Sequence, residues 1–334
     1  MSDVNDARRR GTPSAAQSKP RDFEVELISA RAIHKKAVNL LRAVSLNVQG
    51  QAPLDYPSVV QCAQLIHRSL ERNPDALICV GRLRSPENYL FEHSVNVALL
   101  LGNFARFLGM KSGMVSELII GGLLHDIGMM LIPANIREKT DRLSDEEFRI
   151  VRQNPLYGES LLRDLPDLPP MAVTVATQNF ENYDGSGYPY GLQKKAISVY
   201  GRMTAVVNAY DAMTVDRLHR SAKAPAAALK TLVQQKNTRF DPEVVTRFIS
   251  CMGVFPVGSL VQLQSGRIGF VMQLSRRTRQ PAIVRTVFNL NRMEHLSPED
   301  VWLESRLGAP PQDTLKGPFM GNEKAPSLNF ELYI

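Results

Sequence analysis

The sequence predicts a mainly α protein: a helical bundle, with a helical N-terminal segment before it and a small β-rich C-terminal appendage after it. Two periodicities and one change of texture predict this. Leu90, His93, Val97, Leu100, Leu101, Phe104 and Leu108 recur at i, i+3 and i+4 spacing, which places them on one helix face and turns His93 inward. Val115, Leu118, Ile119, Gly122, His125 and Met129 form a second stripe of the same period. After Cys251 the pattern changes. Val257, Leu260, Val261 and Leu263, then Ser265-Gly266, then Ile268, Phe270 and Val271 read as a hairpin, and Ala282 to Leu290 reads as a further strand.

The remaining elements follow in order. Residues 1–22 have few large apolar side chains and are expected to be a disordered tail. Residues 23–85 read as a helical N-terminal region, interrupted at Asn73-Pro74, where the ring of Pro74 and its missing N–H end or restart a helix. Ser144 followed by Glu147 is a capping box that opens a helix towards Arg163, with a break or kink at Asn154-Pro155. Pro166, Pro169 and Pro170 mark a loop. A helix from about Met171 leads to the turn Asp184-Gly185-Ser186-Gly187-Tyr188-Pro189, and a further helix runs from Val199 to Thr214. The expected division is a tail (1–22), a helical region (23–85), a helical domain (86–250) and an appendage with an irregular C-terminal tail (251–334).

Composition removes several classes. Of 334 residues, 44% are hydrophobic and 22% charged, so the chain is neither disordered throughout nor fibrous. Cys62, Cys79 and Cys251 form no CxxC pair, which argues against a zinc ribbon or a disulfide framework. The N-terminus has no apolar signal core, and Glu117, His125 and Asp126 interrupt the apolar stretch Met114–Pro133, so a cytoplasmic protein without a membrane partner is expected. The net charge of +7 draws on Arg8, Arg9, Arg10 and on the cluster Arg276, Arg277, Arg279. A solvated basic surface is the commoner meaning of such clusters, and no nucleic-acid partner is expected.

The chemistry concentrates at His125-Asp126. Two polar residues on an inward helix face need a partner or an ion, because an unpaired buried charge is costly. One reading is a core histidine held by its neighbouring carboxylate. The other is a metal site, supported by His93, which also points inward. His34, His67, His219 and His295 lack ligand spacing and read as non-ligands. Glu92 to Val97, Leu123-Leu124-His125-Asp126-Ile127-Gly128, Ile132-Pro133, Asp184 to Pro189, Tyr210 to Thr214 and Asp216-Arg217, in this order, resemble the HD-GYP family over residues 55–265. These are bacterial cyclic di-GMP phosphodiesterases within the HD metal-dependent phosphohydrolases.

The resemblance implies an all-helical metal site in which two or three iron- or manganese-type ions activate a hydroxide. Of its ligands, this sequence keeps His93, His125 and Asp126. Met129 stands where the family has Lys, Asn154 where it has His, Asn179 and Phe180 where it has His-His, and Asn208 where it has Asp. Tyr89 stands where three-metal members place a Glu. Loss of groups that merely orient metal ligands costs roughly 10–100-fold in affinity or activity, and loss of ligands costs more. The sequence therefore supports at most one weakly held divalent ion and assigns no catalytic residue. The nucleotide-binding features persist: Tyr188 in an intact GYP turn, with Arg217 and Arg220 where the family places basic groups against phosphates. Glu181 and Asp184 are expected to hold that turn through backbone N–H groups, and Asn179 and Asn208 to pair with each other or with Asp126.

The expected function is a degenerate HD-GYP protein in cyclic di-GMP signalling. It would bind cyclic di-GMP or a signalling partner protein without efficient hydrolysis. The alternatives are a weakly active metal-dependent phosphodiesterase and an interaction scaffold that takes no nucleotide.

Overall fold

The computed structural model describes residues 22–84, 88–139, 141–163, 165–215, 221–305, 308–319 and 328–334. The expected disorder of the first 21 residues lies outside them. Helix α1 (Phe23–Gln49) and α2 (Tyr56–Arg72) pack as a pair, tied by Glu26, which is buried and accepts from Ser69 Oγ and from the Arg72 guanidinium. Helix α3 (Pro74–Val80) restarts the chain after Asn73, whose side chain accepts from the Asp75 N–H. The break therefore falls where Asn73-Pro74 predicts it.

Helix α4 (Tyr89–Phe107) is the axis of the bundle. Its residues from Glu92 to Ala105 are all buried, so it is enclosed on every side, polar residues such as His93, Asn96 and Asn103 included. Helix α5 (Ser112–Leu124) crosses it at very short range. A Cβ on Gly122 would lie 2.6 Å from Ala98 Cα, so only glycine permits this approach. The approach sets the histidine of each helix against the other. The α-helix ends at Leu124, and a 3₁₀ turn covers Ile127–Leu131. His125 and Asp126 thus sit at a helix end and not within a helix as the period suggests. Among the described residues, Ser112–Leu131 is long and apolar enough to cross a membrane by length and composition alone, and 72% of that window is buried in the protein.

Short helices α6 (Ala134–Arg137) and α7 (Asp145–Val151) follow, the latter opened by the Ser144/Glu147 capping box with both hydrogen bonds made. Helix α8 (Asn154–Arg163) starts at Asn154-Pro155, and Gly128 fits against it: a Cβ there would lie 2.0 Å from the Asn154 carbonyl oxygen. Helices α9 (Pro170–Gln178), α10 (Val199–Met213), α11 (Pro225–Gln234) and α12 (Pro242–Met252) complete the bundle.

The appendage is one antiparallel sheet of β1 (Leu260–Leu263), β2 (Arg267–Leu274), β3 (Pro281–Asn289), β4 (Glu294–Trp302) and β5 (Leu315–Pro318), in the order β4-β3-β2-β1-β5. It docks on the bundle through α3, where the buried Asp75 accepts from the Leu274 N–H (3.0 Å). The last thirty residues are not wholly irregular: β5 pairs with β1, and a 3₁₀ turn at Phe330–Tyr333 packs Phe330 on Phe270.

Candidate metal centre

Three helix ends and two helix faces meet at the centre. His93 comes from the first half of α4, His125 and Asp126 from the end of α5, Asn154 from the start of α8, Asn179 from the end of α9 and Asn208 from α10. All six are buried. The His93 and His125 rings meet edge to face with centroids 5.3 Å apart. His93, His125 and Asp126 each offer a ligand atom, and these atoms lie within 4.8 Å of one another.

Each imidazole is oriented through Nδ1. His125 Nδ1–H donates to the Gly122 carbonyl (2.8 Å), which leaves Nε2 with its lone pair, buried and without a hydrogen-bond partner. Burial holds the His125 pKa below its ordinary value, so the ring is neutral. His93 Nδ1 lies 2.6 Å from Asp211 Oδ2, and Asp211 in turn pairs with Arg84. Burial alone would raise the Asp211 pKa, but the adjacent Arg84 and the His93 hydrogen bond overcome it and hold the group ionised. A carboxylate behind the distal nitrogen is the usual way a protein fixes a metal-binding imidazole. Asp126 Oδ2 lies 3.4 Å from His125 Nε2 and 3.9 Å from His93 Nε2.

The amide side of the centre is different. Asn154 Nδ2 donates to Asp126 Oδ1 (2.8 Å), and Asn208 Nδ2 donates to Asn179 Oδ1 (3.2 Å). Asn208 Oδ1 lies 3.0 Å from His93 Nε2. Asn179 Nδ2 is spent on the main chain, 2.8 Å from the Ala176 carbonyl. Met129 sits half-buried in the 3₁₀ turn, its N–H bonded to the Asp126 carbonyl. Tyr89 stacks on His93, with centroids 5.7 Å apart. The donor set therefore fits one ion: two imidazole nitrogens and a carboxylate converge, and one nitrogen is an orphaned buried atom. On the other side the groups are neutral amides, Asn208 bonded to Asn179 and Asn154 bonded to Asp126, and they offer a second ion no charge and no imidazole nitrogen.

The GYP turn closes over this centre. Glu181, almost wholly buried, accepts from the N–H groups of Tyr190 (2.7 Å) and Leu192 (3.0 Å), and Asp184 accepts from Ser186 N–H (2.9 Å). Phe180 stacks on Tyr188, with centroids 5.0 Å apart and planes at 9°. The Arg152 guanidinium lies 4.6 Å from the Tyr188 ring centroid. Phe180 and Arg152 thus both pack on the Tyr188 ring. Burial and the nearby Asp126 raise the Tyr188 pKa, which keeps its hydroxyl a donor. Arg217, Arg220 and His219 lie outside the described residues. Sequence reasoning missed Arg152, Asp211 and Arg84 as participants; Asp211, inside the Tyr-Asp-Ala run, is the one with a local signal.

Residues 79–244 match the HD domain family. The chain belongs to that family, in its HD-GYP branch. It is 37% identical over 240 residues to the cyclic di-GMP phosphodiesterase PA4108 of Pseudomonas aeruginosa, covering 72% of this chain and 58% of that protein. It is 28% identical to the cyclic di-GMP phosphodiesterase PdeB of Borreliella burgdorferi, covering 56% of this chain and 49% of that one. The chain thus spans about half the length of the curated relatives it matches. Bd1817, an HDG"Y"P protein from Bdellovibrio bacteriovorus, superposes with a TM-score of 0.56 at 20% identity over 71% of this chain and 73% of that one, which shows the shared fold.

Proposed function

We propose that this protein recognises cyclic di-GMP at the GYP turn and does not hydrolyse it efficiently. The observation that carries the reading is the mutual hydrogen bonding of Asn208 with Asn179 and of Asn154 with Asp126, where a second ion would need anionic or imidazole ligands. An iron- or manganese-type ion on His93, His125 and Asp126 would polarise a phosphate oxygen. Hydrolysis by the two-ion route needs a partner ion to hold the leaving oxygen. The chain's own residues supply recognition: the Tyr188 hydroxyl as donor, Arg152 beside it, and Arg217 and Arg220 as phosphate-binding forks. Residues 86–250 are the unit assigned to this role.

A second reading, a weakly active single-ion phosphodiesterase, is favoured by the orphaned His125 Nε2. Titration of wild type, Arg217→Ala and Tyr188→Ala with cyclic di-GMP, with linear pGpG as control, tests recognition. Saturable binding by wild type that weakens on Arg217→Ala by about 1.5–3 kcal/mol, the worth of a charge-assisted hydrogen bond, is expected. Absence of saturable binding would leave the interaction-scaffold reading in its place. Equal binding by Arg217→Ala would move the ligand elsewhere.

A further inference from the structure

A cavity of about 30 Å³ lies behind the metal centre. Asp211, which backs His93 through one carboxylate oxygen and bonds Arg84 through the other, forms part of its wall. Arg82 and Arg84, on the segment between α3 and α4, form another part, with Asn96 of α4 and Tyr210 of α10. His93, His125 and Asp126 are not among the residues that line it. One water needs about 10–15 Å³, so the cavity takes a single small ion or one or two waters and no nucleotide.

The charge on this wall is unbalanced. Arg82 Nε, Arg84 Nε and Arg84 Nη1 are buried and have no hydrogen-bond partner. Arg82 is hemmed in as well: its guanidinium lies 5.6 Å from the Phe330 ring centroid, and a Cβ on Gly258 would lie 2.2 Å from its Nε. Burial pulls the Arg82 pKa below its ordinary value, yet a guanidinium stays charged inside a protein. Against these two cations the wall sets one carboxylate, Asp211, which is shared with His93. The exposed Glu331 accepts from the Arg84 main-chain N–H (3.3 Å). A buried charge without a counter-ion is costly.

Neutral donors on the wall are already spent. Asn96 Nδ2 donates to the Gly81 carbonyl (2.8 Å), and Thr214 Oγ1 donates to the Asp211 carbonyl (3.2 Å). Among the described residues that line the cavity, Asn96 Oδ1 is the one orphaned side-chain acceptor, and it lies against Gly81, where a Cβ would come within 2.3 Å of it. The orphaned donors are all guanidinium nitrogens. A water would accept from them and leave the charge uncompensated. A halide accepts from several N–H groups at once and neutralises one guanidinium.

From these buried, unpartnered guanidinium groups we infer that the cavity is an anion site, for a monatomic anion of the chloride class held by Arg82 and Arg84. The anion would take Arg84 through the nitrogens that Asp211 does not use. The inference does not depend on how the GYP turn is used, and its test needs neither nucleotide nor metal. Crystals of the full chain grown with bromide as the halide, measured at the bromine edge, should show one anomalous peak within hydrogen-bond distance of Arg82 and Arg84. In solution, sodium gluconate is replaced by sodium chloride at constant ionic strength and pH. The melting temperature should rise saturably, by about 2 °C or more. The rise should vanish in Arg82→Met, which keeps the length of the side chain and removes its charge, and persist in Arg277→Ala, where an exposed charge is removed elsewhere. An equal rise in Arg82→Met would mean general screening and would overturn the site, as would identical melting in gluconate and chloride. Should Arg82→Met fail to fold, diffraction from the wild type decides: water density in the cavity without a bromine signal would overturn the inference.

Discussion

The two halves of the metal centre deal with buried polar atoms in opposite ways. On one side His93, His125 and Asp126 bring ligand atoms within 4.8 Å of one another, with His93 Nε2 also 3.0 Å from Asn208 Oδ1, and Asp211 and Arg84 stand behind His93 to hold it there. On the other side Asn179 and Asn208 pair with each other, and Asn154 covers Asp126. Amides are both donors and acceptors, so they can satisfy one another without an ion. A neutral imidazole has one N–H to donate and one lone pair, and His125 spends its N–H on the Gly122 carbonyl, so its Nε2 remains without a partner. The amide side is closed only in part: Asn179 and Asn208 bond each other, whereas Asn154 bonds Asp126 through Nδ2 and keeps a buried Oδ1 without a hydrogen-bond partner.

The largest effect should come from breaking the support of the ligand half. Asp211→Asn leaves Arg84 and His93 facing a neutral amide inside the core. Removing one partner of a buried ion pair costs about 3–5 kcal/mol, read as a fall in the urea midpoint. A loss below about 1 kcal/mol would show that Asp211 does not hold this half together.

Next comes the charge behind the same half. His34 on α1 is buried, and burial together with Arg84 lowers its pKa from 6.5 to about 4. The unfolded chain therefore takes up a proton between these values while the folded chain does not. Stability is present above pH 6.5 and falls as pH drops towards 4, by about 3 kcal/mol in full. Urea unfolding across this window should show the decline in wild type and a shallower one in His34→Gln. Parallel curves would exclude His34 as its source.

The smallest effect on stability, and the sharpest on chemistry, should follow from converting the amide half. Asn154→His, Asn179→His, Phe180→His and Asn208→Asp together should gain metal, measured by elemental analysis. The metal-free variant should lose about 1–3 kcal/mol through polar groups left without partners. A folded quadruple variant that takes up no metal would show that these positions are not the missing ligand sites.

Much of this architecture is legible in the sequence, and the reasons for the remainder are physical. The helical stripe from Leu90 to Leu108, the break at Asn73-Pro74 and the Ser144/Glu147 box are local signals, and each stands where it is read. Strand β4 is not legible, because Glu294 to Trp302 is largely exposed and carries no clear alternation. Helices α11 and α12 each open on a proline, Pro225 and Pro242, a usable start signal that their weaker surroundings obscure. In the site, His125-Asp126 is visible as a dipeptide. The Arg84–Asp211–His93 chain is not, since Asp211 lies 127 residues from Arg84 and 118 from His93. The stacking of Phe180 on Tyr188 likewise depends on how the turn folds back.

The central claim is that one half of the centre can hold an ion and the other cannot. Elemental analysis and a cyclic di-GMP hydrolysis assay on the same gel-filtered sample test it most directly. At most one equivalent of iron or manganese and no efficient turnover are expected. Two tightly retained equivalents, with turnover abolished by a chelator and restored by the metal, would contradict it.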